Sequence, residues 1–261
     1  MRIEPYEGGR VVTRGAHVMH PLVLPGERTG NQGKPISNQI LLSLGEREFD
    51  AIRPWLKLAT LKHHAVLHES NHKTEDVYFP DSGLISLVIP SNGRTAEAGV
   101  VGNEGILGLE GLFGLKRSPL REVVQIGGTG HRAPSSNVLL VLREFPDLLF
   151  RFGRFAVINR LQVSQTAACN RLHEIDKRLA RWLLMAQDRV QDGLIRMTHD
   201  FLATMLGTDR GSVTEVAVRL QKRGLIEYSR GSVRIRNRKA LEKSSCECYF
   251  LIREYNAELT R

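Results

Sequence analysis

Thr198-His199-Asp200-Phe201-Leu202-Ala203-Thr204-Met205-Leu206-Gly207-Thr208-Asp209-Arg210-Gly211-Ser212-Val213-Thr214-Glu215-Val216 is the stretch whose reading decides the fold. Thr198 can cap a helix with Phe201, Leu202, Met205 and Leu206 on its apolar side. Gly207 ends that helix where the backbone must turn left-handed. Asp209 can cap a second helix that buries Val213, Val216 and Leu220, and Gly224 closes it. Ala203 is small where the second helix must approach the first. Two short amphipathic helices joined by a glycine turn predict a helix-turn-helix, and a purely structural helical hairpin is the bland alternative.

The residues that follow add to this reading. Leu225-Ile226-Glu227-Tyr228 and Val233-Arg234-Ile235-Arg236 alternate as strands around Ser229-Arg230-Gly231-Ser232, which predicts a β-wing. The chain has 261 residues with 37 Lys and Arg against 28 Asp and Glu, a formal net charge of +9. The excess is concentrated here: residues 194–240 hold ten basic side chains and only Asp200, Asp209, Glu215 and Glu227 as acids. A basic helix and wing predict contact with a polyanion, duplex DNA first. On that reading Lys222, Arg223, Arg230 and Arg234 face phosphates. The rival from another class is a ligand-binding protein whose C-terminal domain contacts protein instead of DNA.

Upstream, residues 58–124 have a β texture. Strand-like runs at 61–67, 77–79, 84–89 and 95–101 are separated by Pro80-Asp81-Ser82-Gly83 and Ser91-Asn92-Gly93. Asn92-Gly93 is a hairpin signal, because both residues tolerate positive φ. The expected architecture is an antiparallel sandwich or roll. A helix is expected at 136–142, and Pro146 fits the first turn of a long helix reaching about Arg171. Its apolar Leu149, Phe152, Ala156 and Val163 share one face with polar Asn159 and Thr166, which reads either as a coiled-coil partner seam or as a helix lying on its own domain's core. Leu172, Ile175, Leu179, Leu183 and Ala186 mark a further amphipathic helix.

The expected α+β organisation is a mobile N-terminal tail at 1–36 and a β-roll sensory domain at 37–145. A long helix and connecting helix for dimerisation follow at 146–192, then a winged helix-turn-helix at 193–261. No apolar run is long enough to span a bilayer, which predicts a cytoplasmic protein without a membrane partner. No nucleophile elbow, phosphate loop or H-E-x-x-H pair is present, so no enzyme is expected. Cys169, Cys246 and Cys248 are too few for a disulfide scaffold, and Cys246-Glu247-Cys248 lacks the C-x-x-C spacing of a metal site. They are expected as small buried residues. His63, His64, His68 and His72 are expected to be scattered by a strand, so no metal site is predicted.

The run from Thr198-His199-Asp200-Phe201-Leu202-Ala203, through Arg210-Gly211-Ser212-Val213, to Leu220-Gln221-Lys222-Arg223-Gly224-Leu225-Ile226 resembles the Crp/Fnr family of bacterial transcriptional regulators. Val77-Tyr78-Phe79-Pro80-Asp81-Ser82-Gly83 resembles that family's cyclic-nucleotide-binding-type β-roll (a jelly roll). The resemblance implies a homodimer joined by the long helix, a signal-responsive roll, and recognition helices at 209–223 in successive major grooves of a two-half-site operator. It also implies base-edge contacts from Arg210, Ser212, Thr214 and Glu215, with Gly211 unable to read a base, further phosphate contacts from Thr198 and Arg219, and contact with RNA polymerase if the protein activates transcription. The matching effector pocket would involve Gly108, Leu109, Arg117 and Ser118. Leu109 stands where the family's ribose-binding pattern calls for other chemistry, so no cyclic AMP binding and no cofactor are expected, and the effector is unassigned. No cysteine precedes Cys169, which departs from the family's iron–sulfur branch.

Overall fold

The computed structural model describes residues 23–190 and 193–260. Helices α1 (Gln39–Leu42) and α2 (Glu46–Ile52) lead through a 3-10 turn, Arg53–Trp55, into the β region. Seven strands follow: β1 (Lys57–Leu61), β2 (Val66–His68), β3 (Asp76–Pro80), β4 (Leu84–Ser91), β5 (Arg94–Val101), β6 (Arg121–Ile126) and β7 (Gly128–Pro134), with α3 (Leu109–Leu112) between β5 and β6. They form two antiparallel sheets, ordered β1-β7-β3 and β2-β6-β4-β5. Ile85, Leu87, Val101 and Val124 pack with Val77, Phe79 and Ala133 in the core of the roll. Asn92 and Gly93 both carry positive φ at the β4–β5 turn, as their chemistry predicts.

The expected strand at 61–67 is instead two strands. Lys62–Ala65 form a turn closed by Ala65 N–H donating to the Lys62 carbonyl, with His64 in the left-handed region. No Gly or Pro announces that turn. The expected tail also differs. Residues 1–22 lie outside the described residues, but 23–36 pack on the roll: Ile36 is fully buried, and Gly26 N–H donates to its carbonyl. The Arg28 guanidinium donates to the carbonyls of Leu41 and Leu42, C-terminal acceptors of α1, and to that of Leu44 just beyond the helix. Asp81 accepts from the Ser37 and Asn38 amides, fixing the segment's exit.

After the roll come α4 (Ser135–Glu144), the 27-residue α5 (Pro146–Leu172) with Pro146 in its first turn, and α6 (Ile175–Arg189). The C-terminal unit holds β8 (Leu194–Arg196), α7 (His199–Leu206), α8 (Arg210–Lys222), β9 (Ile226–Ser229), β10 (Ser232–Ile235), α9 (Arg238–Ser244) and α10 (Cys248–Ala257). Its core continues into the roll: Leu84, Val88, Val100 and Ile126 cluster with Trp182, Met205 and Leu206. Strand β4 is therefore covered on both faces, which is why 84–88 reads as an almost unbroken apolar run.

The face that α5 turns to its own chain is Leu148, Phe152, Phe155, Ile158, Gln162, Thr166 and Cys169. Phe152 and Thr166, candidates for the partner seam, are therefore buried within the chain. A second stripe runs along the other side of the helix. Phe150 (68% exposed), Gly153, Val157 (51%), Leu161, Ser164, Ala168 and Leu172 follow one another at steps of three and four on the opposite side.

Two buried polar clusters join the three units. The Arg189 guanidinium donates to Glu104 at 2.8 Å, to the Met185 carbonyl and to Gln162, whose amide in turn donates to the Val100 carbonyl. Glu97 on β5 accepts from the Ser86 hydroxyl at 2.5 Å and from the Trp182 indole N–H at 2.9 Å. Burial pushes the Glu97 carboxyl up to about 7, against smaller opposing effects of those hydrogen bonds and of Arg181 and Arg189.

Candidate nucleic-acid interface

Local capping builds the C-terminal site. Thr198 Oγ1 accepts from Phe201 N–H at the start of α7, and Gly207 ends that helix at φ 59, its N–H returning to the Ala203 and Thr204 carbonyls. Asp209 then accepts from both the amide (2.9 Å) and the hydroxyl (2.6 Å) of Ser212 at the start of α8. Those two donors hold the Asp209 carboxyl below its ordinary range. A Cβ on residue 211 would sit 3.0 Å from the Asp209 cap oxygen, which gives Gly211 a local reason. Leu202, Ala203, Leu206, Val213, Val216, Ala217 and Leu220 close the core beneath.

α8 presents Arg210, Gly211, Glu215, Val218, Arg219, Gln221 and Lys222 to solvent. The Arg210 side chain is 69% exposed, with Asp200 at 3.3 Å, and that of Arg219 is 56% exposed, with Glu215 at 4.0 Å one turn away. Lys222, Arg230 and Arg234 have no acidic partner among the described residues. Arg223 is exposed but donates to Ser244 Oγ on α9.

The wing pairs β10 with both β9 and β8. Its turn places Arg230 (φ 31) and Gly231 (φ 78) in the left-handed region. An arginine there is costlier than glycine by about 1 kcal/mol, a cost that sits at the tip where a cation would meet a phosphate. Arg236 forms an ion pair with Glu227 across the wing, whereas Arg238 turns inward to Asp188 and Glu242.

Two of the expected base readers are engaged within the fold. The Thr214 hydroxyl donates to the Arg210 carbonyl and lies 2.9 Å from His199 Nδ1, so it locks α8 onto α7 instead of standing free. The Ser212 hydroxyl is committed to Asp209. Sequence reasoning missed His199, whose ring also stacks on Tyr228 at 4.0 Å and whose imidazole burial holds below its ordinary pKa. It missed Asp200 as the partner of Arg210 as well. A histidine one residue after a cap carries no sequence signal for either role.

Gly108 (φ 80) packs so tightly that a Cβ would lie 2.4 Å from the Asp76 carbonyl and 2.7 Å from His68, and its N–H donates to the buried Glu122 carboxylate. Glu122 is paired in turn with His68 Nδ1. Leu109 packs against the roll core, Arg117 is exposed, and the Ser118 hydroxyl accepts from Leu120 N–H in its own turn. His68 is thus neither a scattered nor an exposed histidine but the internal partner of a buried acid.

The Crp-like helix-turn-helix domain family matches residues 177–244. No curated protein sequence matches the chain. Among solved structures, FixK2 from Bradyrhizobium japonicum is 15% identical with a TM-score of 0.63, covering 73% of this chain and 98% of its own. TTHB099, a CRP-family transcriptional regulator from Thermus thermophilus, is 21% identical with a TM-score of 0.58, covering 72% and 96%. The c-di-GMP-responsive global regulator CLP from Xanthomonas campestris is 15% identical with a TM-score of 0.59, covering 73% and 99%. At these identities the likeness is one of fold. No helix among the described residues is long and apolar enough to cross a membrane. The chain carries a Crp-like helix-turn-helix domain within the α+β fold shared by Crp/Fnr regulators.

Proposed function

We propose that the protein is a cytoplasmic DNA-binding transcriptional regulator, not an enzyme, acting as a homodimer on a two-half-site operator. One observation carries this reading: α8 and the wing expose Arg210, Arg219, Lys222, Arg230 and Arg234 over a closed apolar core, and among the described residues no other segment covers them. In this reading Arg210 leads base readout and Glu215 either accepts from a cytosine amino group or stays paired with Arg219. Lys222, Arg223, Arg230, Arg234 and Thr198 grip phosphates.

The exposed stripe of α5 is the dimer seam, because an apolar ridge this long on a solvent-facing helix is otherwise unfavourable. A lysine at Val157 then yields a monomer in sedimentation and loses binding to paired half-sites while each protomer stays folded. A wild-type protein already monomeric at micromolar concentration contradicts the seam. The signal acts on the roll and reaches the reading head through the Glu97–Trp182 and Arg189–Glu104–Gln162 contacts. To move the balance from 1:99 to 99:1 it must favour one arrangement by about 5.5 kcal/mol.

Selection from randomised duplexes tests the assignment. The wild type returns paired half-sites with centres about 10 base pairs, or a multiple of that, apart. Arg210→Ala weakens binding by about 1–3 kcal/mol and relaxes one base position; a sequence preference unchanged by that substitution refutes the role of Arg210. Arg230→Gly gives opposite signs in two assays. Removing the left-handed arginine leaves stability equal or raises it by up to about 1 kcal/mol, while affinity falls alike for all sequences.

A further inference from the structure

Three cysteines and a histidine meet where α5 ends. Cys169 lies in the last turn of α5, and His173 is its extended C-cap, the point at which the chain turns into α6. Cys246 and Cys248 stand at the start of α10, after α9. The three sulfurs and one ring nitrogen of His173 all lie within 4.8 Å of one another. Cys169 Sγ is 3.5 Å from Cys246 Sγ, and Cys248 Sγ is 3.5 Å from His173 Nδ1. Tetrahedral zinc with sulfur at about 2.3 Å and nitrogen at about 2.0–2.1 Å requires ligand atoms about 3.4–3.8 Å apart. Two of the six pairs, at 3.5 Å, already have about that spacing, and the others, within 4.8 Å, need only close by up to about 1 Å.

Apolar packing does not explain the surroundings. The cysteines are fully buried yet form a cluster apart from both apolar cores. His173 Nε2 lies 3.1 Å from the Glu247 carboxylate, the outer partner that orients a metal-bound imidazole and fixes Nδ1 as the ligating nitrogen. The Gln165 side-chain amide donates to Cys248 Sγ at 3.1 Å. Arg178 and Arg181 both act electrostatically on Cys169, positive charge suited to a site carrying three thiolates and a dication.

We propose that Cys169, His173, Cys246 and Cys248 form a closed Cys3His site for one zinc-class ion, with Glu247 and Gln165 as outer partners. Binding releases the thiol protons to solvent. With no open coordination position the site is structural. Two ligands precede and two follow the matched stretch 177–244, so the ion ties the two ends of the helix-turn-helix domain together and fixes the turn from α5 into α6. The sequence signal overlooked was the second ligand pair: a cysteine in the last turn of a helix and a histidine four residues on, at its C-cap, complementing Cys246-x-Cys248.

Metal analysis of full-length protein, purified without chelator under reducing conditions, tests the site independently of DNA binding. About one zinc per chain is expected. Cobalt(II) in its place should give the thiolate charge-transfer band and the intense visible bands of a tetrahedral ion. Cys248→Ser loses the ion. Glu247→Gln, a change at an exposed side chain, keeps a native circular dichroism spectrum but binds zinc about 10–100-fold more weakly, whereas Glu254→Gln does not. Folded wild type that takes up less than about 0.2 zinc per chain when titrated, or cobalt without a charge-transfer band, overturns the proposal. So does a Cys169–Cys246 disulfide in protein prepared under reduction.

Discussion

Arg189→Met lowers the free energy of unfolding by about 3–5 kcal/mol, which for a chain of this size moves Tm by on the order of 10 °C. The argument is one of charge left behind. Arg189 and Glu104 are both buried, and the guanidinium also satisfies the Met185 carbonyl and Gln162. Methionine keeps most of the volume but leaves the buried Glu104 carboxyl with only the Gly102 N–H as a partner. Adding Glu104→Gln to the variant removes that charge and recovers part of the loss. The cycle of single and double variants measures the coupling by urea unfolding. Additive losses indicate that the pair is merely adjacent. Because the cluster joins α6 to the roll and to α5, the variant also frees the C-terminal unit, read as faster amide exchange in α6 at unchanged exchange in β4.

Glu97 gives the second large effect, and its sign is fixed by burial. In the unfolded chain this carboxyl titrates near 4.5, and in the folded protein it keeps its proton up to about 7. Folding therefore favours the protonated form. The stability it contributes is complete below pH 4.5 and is lost as pH rises through 7, a total difference of about 3 kcal/mol. Glu97→Gln cannot ionise. Relative to wild type, its unfolding free energy should rise by about 2–3 kcal/mol between pH 5 and pH 8. The Trp182 indole donates to this group, so its fluorescence should report the same titration in wild type only. Parallel stability curves for the two proteins contradict a buried, proton-holding Glu97. Since Glu97 and Trp182 lie on opposite sides of the contact between the roll and the C-terminal unit, raising the pH loosens the docking of the reading head.

What was legible in the sequence was whatever local chemistry enforces. Thr198, Gly207, Asp209 and Gly224 punctuate two helices because caps and left-handed turns tolerate few residue types, and each stands at the boundary it predicts. Asn92-Gly93 is legible for the same reason. The turn at His64 is not, since a histidine at positive φ is held by the β1–β2 connection and not by its own preference. Phasing of α5 stayed open between two readings because apolar residues occupy two faces: Phe152, Phe155 and Ile158 meet the chain's own core, while Phe150, Val157 and Leu172 stand outside. Periodicity alone cannot tell which face meets which partner. Packing of residues 23–36 depends on Arg28 reaching carbonyls thirteen to sixteen residues away, a long-range fact without local trace. Within the candidate interface the exposed arginines were legible from charge. The commitment of Thr214 to His199 was not, because side-chain pairing between α7 and α8 depends on their docked geometry.

Salt dependence of duplex binding tests the central claim most directly. Arg219, Lys222, Arg223, Arg230 and Arg234 of two protomers can displace up to about ten counterions. A plot of log affinity against log salt should therefore fall with a slope of about −5 to −9, that of Arg230→Gly being shallower by about 2 for the dimer. A wild-type slope no steeper than about −1, with weak affinity at low salt, would mean that this basic face does not grip DNA.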